Sequence, residues 1–429
     1  MVPQVEGVAI RSEDLAAITT RVPLTRGLGR AYGDAALPAA GDRLIAESTL
    51  ADRILDFDPT TGLLRAEAGF SLDQLYRTFL PCGFFTPVTP GTRFVTLGGM
   101  VAADVHGKNH HRDGCFGRHV RAIRMRVADG RVVTCSATQH HDLFLATIGG
   151  MGLTGHILDV TCELVRVPSP WILQESERVA NVDAFIASLA AAAPSWPMTV
   201  GWIDCLASGA ALGRGILYKG RWAASELAPR SFPALRTSLT VPFPLPNGLL
   251  SPILMRAFNA AYFHAHPAGT TQAIVHPRSY FYPLDALNRW NRLYGSRGMA
   301  QYQCVLPPAA GADAARRILG VIAGAGAASF LCVIKDCGPE GDGLLSFPKP
   351  GISIALDLPM RHDTQTVIDR LNEIVLRDGG RIYLAKDALT RPEHFRAMET
   401  RLDRFLAVRR QWDPEGRIRS AQSVRLFGW

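Results

Sequence analysis

Residues 90–120, PGTRFVTLGGMVAADVHGKNHHRDGCFGRHV, constrain this chain more than any other stretch. Pro90-Gly91-Thr92 reads as a turn. Thr96 to Ala103, with Gly99 and Ala102, carries little side-chain bulk. Bare backbone of this kind lets a large ligand lie directly against the chain. His106-Gly107-Lys108-Asn109-His110-His111 then supplies donors and a cation beside it. The combination predicts a cofactor cradle rather than a plain glycine-rich loop.

Two further glycine segments flank this one. TRGLGRAYGD, residues 25–34, sets Gly27, Gly29 and Gly33 among Arg26, Arg30 and Tyr32. Backbone N–H groups freed by glycine form an anion nest, and two guanidinium groups add charge, which suits a pyrophosphate. The segment lacks the strand–GxGxxG–helix context of a nicotinamide site. IGGMGLTG, residues 148–155, repeats the theme. Three such segments predict one extended ligand touched at several points.

A chain of 429 residues is long enough for two domains with sizeable cores. Its formal charge of +8 favours anionic partners. The basic residues are scattered, with no lysine run and no interleaved aromatic stripe, so nucleic acid is not expected. The eight cysteines form no CxxC or metal-ligand pattern and read as buried reduced thiols of a cytoplasmic protein. The first residues lack the basic and apolar regions of a signal peptide, and no apolar run is long enough to span a membrane. Histidines 106, 110 and 111 lie close in sequence without accompanying Asp or Glu ligands, so no metal is expected.

The pattern along the chain predicts an α+β protein. Asp58 to Gly62 reads as a hairpin connection, and Ala128-Asp129-Gly130 as a second within Val120 to Thr134. Leu72 to Leu80 has helical spacing, with Ser71 or Asp73 as its cap. A first domain should close near residues 165–170. Beyond it, strands are expected at 171–179, 199–204, 211–218, 330–335, 352–357 and 381–385. Helices are expected at 182–192, 309–325, 364–378 and 392–408. Residues 240–268 carry Pro242, Pro244, Pro246 and Pro252 among apolar and aromatic residues, and read either as an irregular loop on the core or as an apolar lid.

The order RGLGRAYGD, PGTRFVTLGGMVAADVHGKNHH, GGMGLTGHI resembles the flavin domain of vanillyl-alcohol-oxidase/PCMH-type flavoproteins. TVPFPLPNGLL, FYPLDALNRWNRLYG, QYQCVLP, LSFPKPG and RIYLAKD narrow the likeness to the decaprenylphosphoryl-ribose 2′-oxidase family. The resemblance runs from about residue 8 to the end. It implies an FAD-binding domain over 1–168, an inserted substrate-binding domain on an antiparallel sheet over 169–380, and a segment, 381–429, returning to the first domain. It implies FAD-dependent oxidation of the 2′-hydroxyl of a polyprenyl-phosphate-linked ribose, with a separate NADH-dependent short-chain ketoreductase completing an epimerisation. Peripheral contact with the membrane goes with such a substrate. An oxidase of a soluble sugar or aldonolactone is the alternative.

The resemblance also assigns residues. Tyr32, Gly91, Thr92, Thr96, Gly99, Ala102, Asn109, His110, His111, Ile157 and Tyr383 match flavin-contacting positions. Lys386 of YLAKD matches an active-site lysine. His106 and Lys108 fall where ring and substrate meet, and Gln303 and Lys335 match polar pocket residues. A base must take the hydroxyl proton during oxidation, and Lys386 and His106 are the two candidates. Lys108 or Lys335 would meet the substrate phosphate. Arg30-Ala31 stands where covalent flavoproteins of this fold carry His or Cys, so FAD is expected to bind non-covalently. Phe281, Ser353 and Ala355 replace a tyrosine, an asparagine and a cysteine of the mycobacterial pocket.

Overall fold

Two antiparallel sheets organise the chain, and the alternation of residues along their strands decides where a site can form. The computed structural model describes residues 6–234, 238–326 and 329–429. In the first part, five strands pair in the order Ile54–Asp58, Leu63–Glu67, His156–Glu163, Val120–Arg126 and Val132–Ser136. Both expected hairpins are present. Asp58 closes the first by accepting from the Thr60 N–H and the Thr61 hydroxyl. The helix Leu72–Phe79 starts at Ser71, whose hydroxyl oxygen accepts from the Gln74 N–H while Gln74 caps back. Its Leu72, Leu75, Tyr76 and Phe79 are buried in the first core. A small parallel sheet of Val8–Arg11, Leu44–Glu47 and Thr25–Arg26 carries the first glycine segment.

The second sheet has eight strands, in the order Thr271–Val275, Ile172–Val179, Gly215–Trp222, Met198–Ile203, Cys332–Cys337, Gly351–Pro359, Met299–Leu306 and Arg381–Ile382. Every neighbouring pair is antiparallel. Successive side chains point to opposite faces. Tyr302, Cys304, Ile334, Ile354 and Leu356 therefore join Phe185, Leu189, Ile318, Ile322 and Leu371 of the helices Val182–Ala192, Gly311–Gly324 and Thr364–Arg377 in one apolar core. Packing there is tight enough that a Cβ on Gly201 would lie 2.3 Å from the Phe185 ring. The intervening residues, Gln301, Gln303, Val333, Lys335 and Ala355, line a cleft on the other face.

Four expected elements differ. The strand expected at 211–218 is Gly215–Trp222, because residues 204–214 form a turn closed by the Arg214–Asp204 ion pair at 2.9 Å. The strand expected at 381–385 stops at Ile382; Tyr383 turns away and Leu384–Lys386 is a single 3₁₀ turn. The helix expected over 392–408 is two, Pro392–Met398 and Leu402–Trp412, and Ala421–Phe427 adds a further one. Residues 240–268 contain a four-turn helix, Pro252–Ala265. Its proline sits at the first helical position, where no N–H is needed, and Ser251 caps it.

The C-terminal residues fasten onto the first glycine segment. Arg425 joins Asp34 at 2.7 Å and Asp387 at 2.8 Å, Arg419 pairs with Asp42, and the Tyr32 N–H donates to the Ala385 carbonyl. A Cβ on Gly33 would lie 1.7 Å from the Asp387 carbonyl oxygen, so this contact requires glycine. No helix among the described residues is long and apolar enough to cross a membrane.

Candidate active site

The glycine segments and the polar face of the eight-stranded sheet enclose a cleft of about 1990 Å³. At one end lie Arg26, Gly27, Gly29, Arg30 and Tyr32. A Cβ on Gly27 would lie 2.3 Å from the Thr96 hydroxyl oxygen, so the first two glycine segments touch through bare backbone. Gly91, Thr92, Thr96, Gly99 and Ala102 continue the wall. The Thr92 hydroxyl donates to Asp285 at 2.7 Å, and the Thr96 oxygen accepts from the Gly99 N–H. A Cβ on Gly91 would meet nothing within 4 Å, which leaves this turn open to the cleft. Tyr383 closes the far side, its hydroxyl donating to the Ala103 carbonyl at 3.0 Å.

The titratable groups gather at the sheet end. The Gln303 amide donates to His106 Nε2 at 2.9 Å and to the Ser353 hydroxyl at 2.8 Å. His106 Nδ1 is buried without a hydrogen-bond partner. Burial, reinforced by Lys335, holds the ring neutral well below the ordinary imidazole range. Lys108 donates to the Tyr280 carbonyl and stands 4.4 Å from the Tyr280 ring centroid. Burial and then Lys335 lower its pKa to about 7. Burial likewise lowers Lys335. Lys386, 5.9 Å from the Tyr32 ring centroid, is pushed down by burial and then by Lys335, while Asp357 pulls the other way. Among the described residues the only lysine ion pairs belong to Lys219, so these three ammonium groups have none.

Phe281 and Ala355 also line the cleft. Six expected residues do not. Gly33 faces the C-terminal segment. Asn109 donates to the Pro87 carbonyl and to Asp113, closing its own loop. His110 turns to Cys115 and accepts from the Gly338 N–H; His111 turns to the Trp196 carbonyl and Asp336. The Ile157 side chain is in the first core, and Ser353 stands behind Gln303. The short helix His110–Asp113 aims its two histidines at different neighbours, away from His106.

The structure adds residues that sequence reasoning did not place. Asp357 is fully buried behind the cleft wall and accepts from the Gln301 amide at 2.6 Å and the Tyr294 hydroxyl at 3.1 Å. Burial raises its pKa, against the pull of Gln301 and then Lys386. The signal was present in Gln301-Tyr302-Gln303, whose alternation puts both glutamines on one face. The partner needed the register, which sets Gln301 opposite Asp357 and Gln303 opposite Ala355. Asp285, which receives Thr92 and Arg93, is also long-range and left no local trace.

Comparison with known proteins fits this arrangement. Residues 15–136 match the FAD binding domain family. The chain is 37% identical over 413 residues to decaprenylphosphoryl-β-D-ribose oxidase of Mycolicibacterium smegmatis, covering 94% of this chain and 88% of that protein. This protein belongs to the decaprenylphosphoryl-ribose oxidase family. An uncharacterised Streptomyces coelicolor protein from the mprA 5′ region is 35% identical over 83% of this chain and 99% of its own length. D-lactate dehydrogenase of Anaerostipes hadrus is 26% identical, over 39% of this chain and 37% of that enzyme. The α+β architecture with an antiparallel second sheet is that expected for the family. FAD is the cofactor, and the residues present suit it. Touching glycine segments leave backbone for the dinucleotide, Arg26 and Arg30 supply charge at one end, and the buried His106 Nδ1, Gln301 Oε1 and Gln303 Oε1 lack partners at the other.

Proposed function

We propose that this protein oxidises the 2′-hydroxyl of a polyprenyl-phosphate-linked ribose to the 2′-keto sugar. The observation that carries this reading is the convergence of Lys108, Lys335 and Lys386 on one cleft without ion-pair partners. Partly buried cations without a counter-charge are unfavourable unless compensated. A substrate phosphate and a hydroxyl losing its proton supply the missing negative charge. FAD, when bound, accepts the hydride from the sugar carbon.

The remaining work falls to the chain's own residues. Lys386 takes the hydroxyl proton, because burial and Lys335 favour its neutral amine. His106 is less suited, since its Nε2 already accepts from Gln303. Lys108 and Lys335 hold the phosphate, and Gln303 orients the sugar. Arg26 and Arg30 hold the FAD pyrophosphate, and non-covalent binding follows from the Arg30-Ala31 pair in that loop. On this reading residues 1–168 bind FAD, 169–380 bind the sugar, and 381–429 return to deliver Lys386. The keto product requires a reductase, for which an NADH-dependent short-chain enzyme is the proposed partner. A cytoplasmic location, peripheral at the membrane, suits both.

Anaerobic addition of a polyprenyl-phospho-ribose to the yellow holoprotein should bleach the flavin band near ~450 nm. A holoprotein that stays yellow refutes the substrate. Lys386→Ala should abolish bleaching while FAD content is kept. An unchanged rate in that variant refutes the base.

A further inference from the structure

Large apolar residues exposed on this protein are not evenly spread. Leu239, Phe243, Leu249, Ile253, Leu254 and Phe258 all lie within twenty residues, and Leu239 and Ile253 are 76% and 84% exposed. Residues 239–265 hold one formally charged side chain, Arg256, and no acid. Single exposed apolar residues are ordinary, whereas a contiguous patch marks an interaction surface.

The patch is built rather than frayed. Residues 239–240 pair in parallel with 287–288, and the Leu245 N–H donates to the Arg292 carbonyl. The helix Pro252–Ala265 is pinned from beneath: Met255 and Asn259 are buried, Asn259 donates to Asp204, and Tyr262 meets the Tyr218 hydroxyl at 2.7 Å. Met255, Asn259 and Tyr262 form one stripe at helical spacing, which leaves Ile253 on the opposite, outer face. The patch is also continuous with the cleft, because Thr240, Phe258 and Tyr262 line its wall. Arg289 and Arg297, both exposed, stand at the same mouth. With Arg256 they form no ion pair among the described residues.

We propose that this patch, residues 239–258 with Arg256 at its edge, docks the protein on an anionic lipid bilayer, with the cleft mouth against the headgroups. The inference rests on the lipid-linked substrate proposed above. A polyprenyl chain is held in the bilayer by its length, so the enzyme must meet the sugar at the membrane surface. An apolar face ringed by arginines is the composition that lies in an interface without spanning it. The uncompensated arginines select an anionic surface, each contributing about fivefold in affinity.

The test uses FAD-loaded full-length protein and sedimentation with vesicles of phosphatidylcholine, alone or mixed with phosphatidylglycerol. Wild type should sediment with the mixed vesicles. Phe243→Glu/Ile253→Glu should lose at least about tenfold in binding, while its flavin is still bleached at the wild-type rate by detergent-dispersed substrate, since neither residue lines the cleft. Arg256→Ser should weaken binding to mixed vesicles only. Phe243→Trp should show fluorescence quenching by brominated lipid beyond that of wild type. Absence of sedimentation by wild type, wild-type binding by the double Glu variant, or no added quenching of Phe243→Trp each overturns the proposal. So does a concentration-dependent dimer broken by Ile253→Glu without vesicle binding, which would assign the patch to a second copy of the chain. Vesicle binding needs no substrate, so a failure of bleaching is visible separately and leaves this readout intact.

Discussion

Replacing Asp357 by Asn removes one buried charge and almost no shape. The amide oxygen can still accept from Gln301, and Tyr294 can accept from the new NH₂ group in place of donating. Asp357 does not line the cleft and forms no ion pair with Lys386, so the change reaches the reaction only through the field at Lys386. The charged and titratable groups acting on that ammonium are Lys335, which pushes its pKa down, and Asp357, which alone pulls it up; Tyr32 lies against it, and the buried imidazole of His106 shares the same field. An opposite charge nearby moves a pKa by about 1–3 pH units, and the lack of direct contact places this pair at the lower end, about 1–2. Each pH unit corresponds to about 1.4 kcal/mol. Lys386 must be neutral to accept the proton, so reduction of the flavin rises as pH climbs through its pKa. Asp357→Asn lowers that pKa, and the acid limb should move to lower pH by about 1–2 units. The plateau rate should fall, because a weaker base takes the proton. Anaerobic stopped-flow bleaching across pH measures both. Asp357→Glu should return the limb toward wild type. A slower enzyme whose limb has not moved would mean that Asp357 only braces the strand, and a limb moved to higher pH would contradict the electrostatics outright.

Two other outcomes follow from the packing and the cleft wall. Gly33→Ala drives a methyl group into the Asp387 carbonyl and should destabilise the protein by about 1–3 kcal/mol. It should also reduce FAD content by displacing the first glycine segment; an unchanged denaturation midpoint and full flavin content would contradict this. Ala355 lines the cleft, and the family resemblance implies that mycobacterial members carry at this position a cysteine that anchors covalent inhibitors. The natural protein should show no adduct by mass spectrometry, while Ala355→Cys should gain one; an adduct on the natural chain would overturn the assignment.

Much of the local structure was legible because its causes are local. Ser71 announces a helix start ahead of the apolar spacing of Leu72 to Leu80, Asp58 to Gly62 contains all that its hairpin needs, and the glycine segments declare a wall without side chains. The helix Pro252–Ala265 was hidden by Pro242, Pro244 and Pro246, which precede it, and by Pro252, which occupies the first helical position, where proline is tolerated.

What the amino-acid order determined alone was which stretches must be bare, which must alternate, and which carry cations. What only the tertiary structure decided was which of those cations meet. Lys108, Lys335 and Lys386 come from a loop, a strand and a 3₁₀ turn far apart in the chain, and nothing near any of them in sequence says that the three will share one cleft. Likewise His110 and His111 sit beside His106 in sequence yet face other walls, while Asp357 finds Gln301 across a strand pair. Helix caps and turns depend on neighbours a few residues away. The lowered basicity of a lysine depends on desolvation and on charges that only the fold brings near.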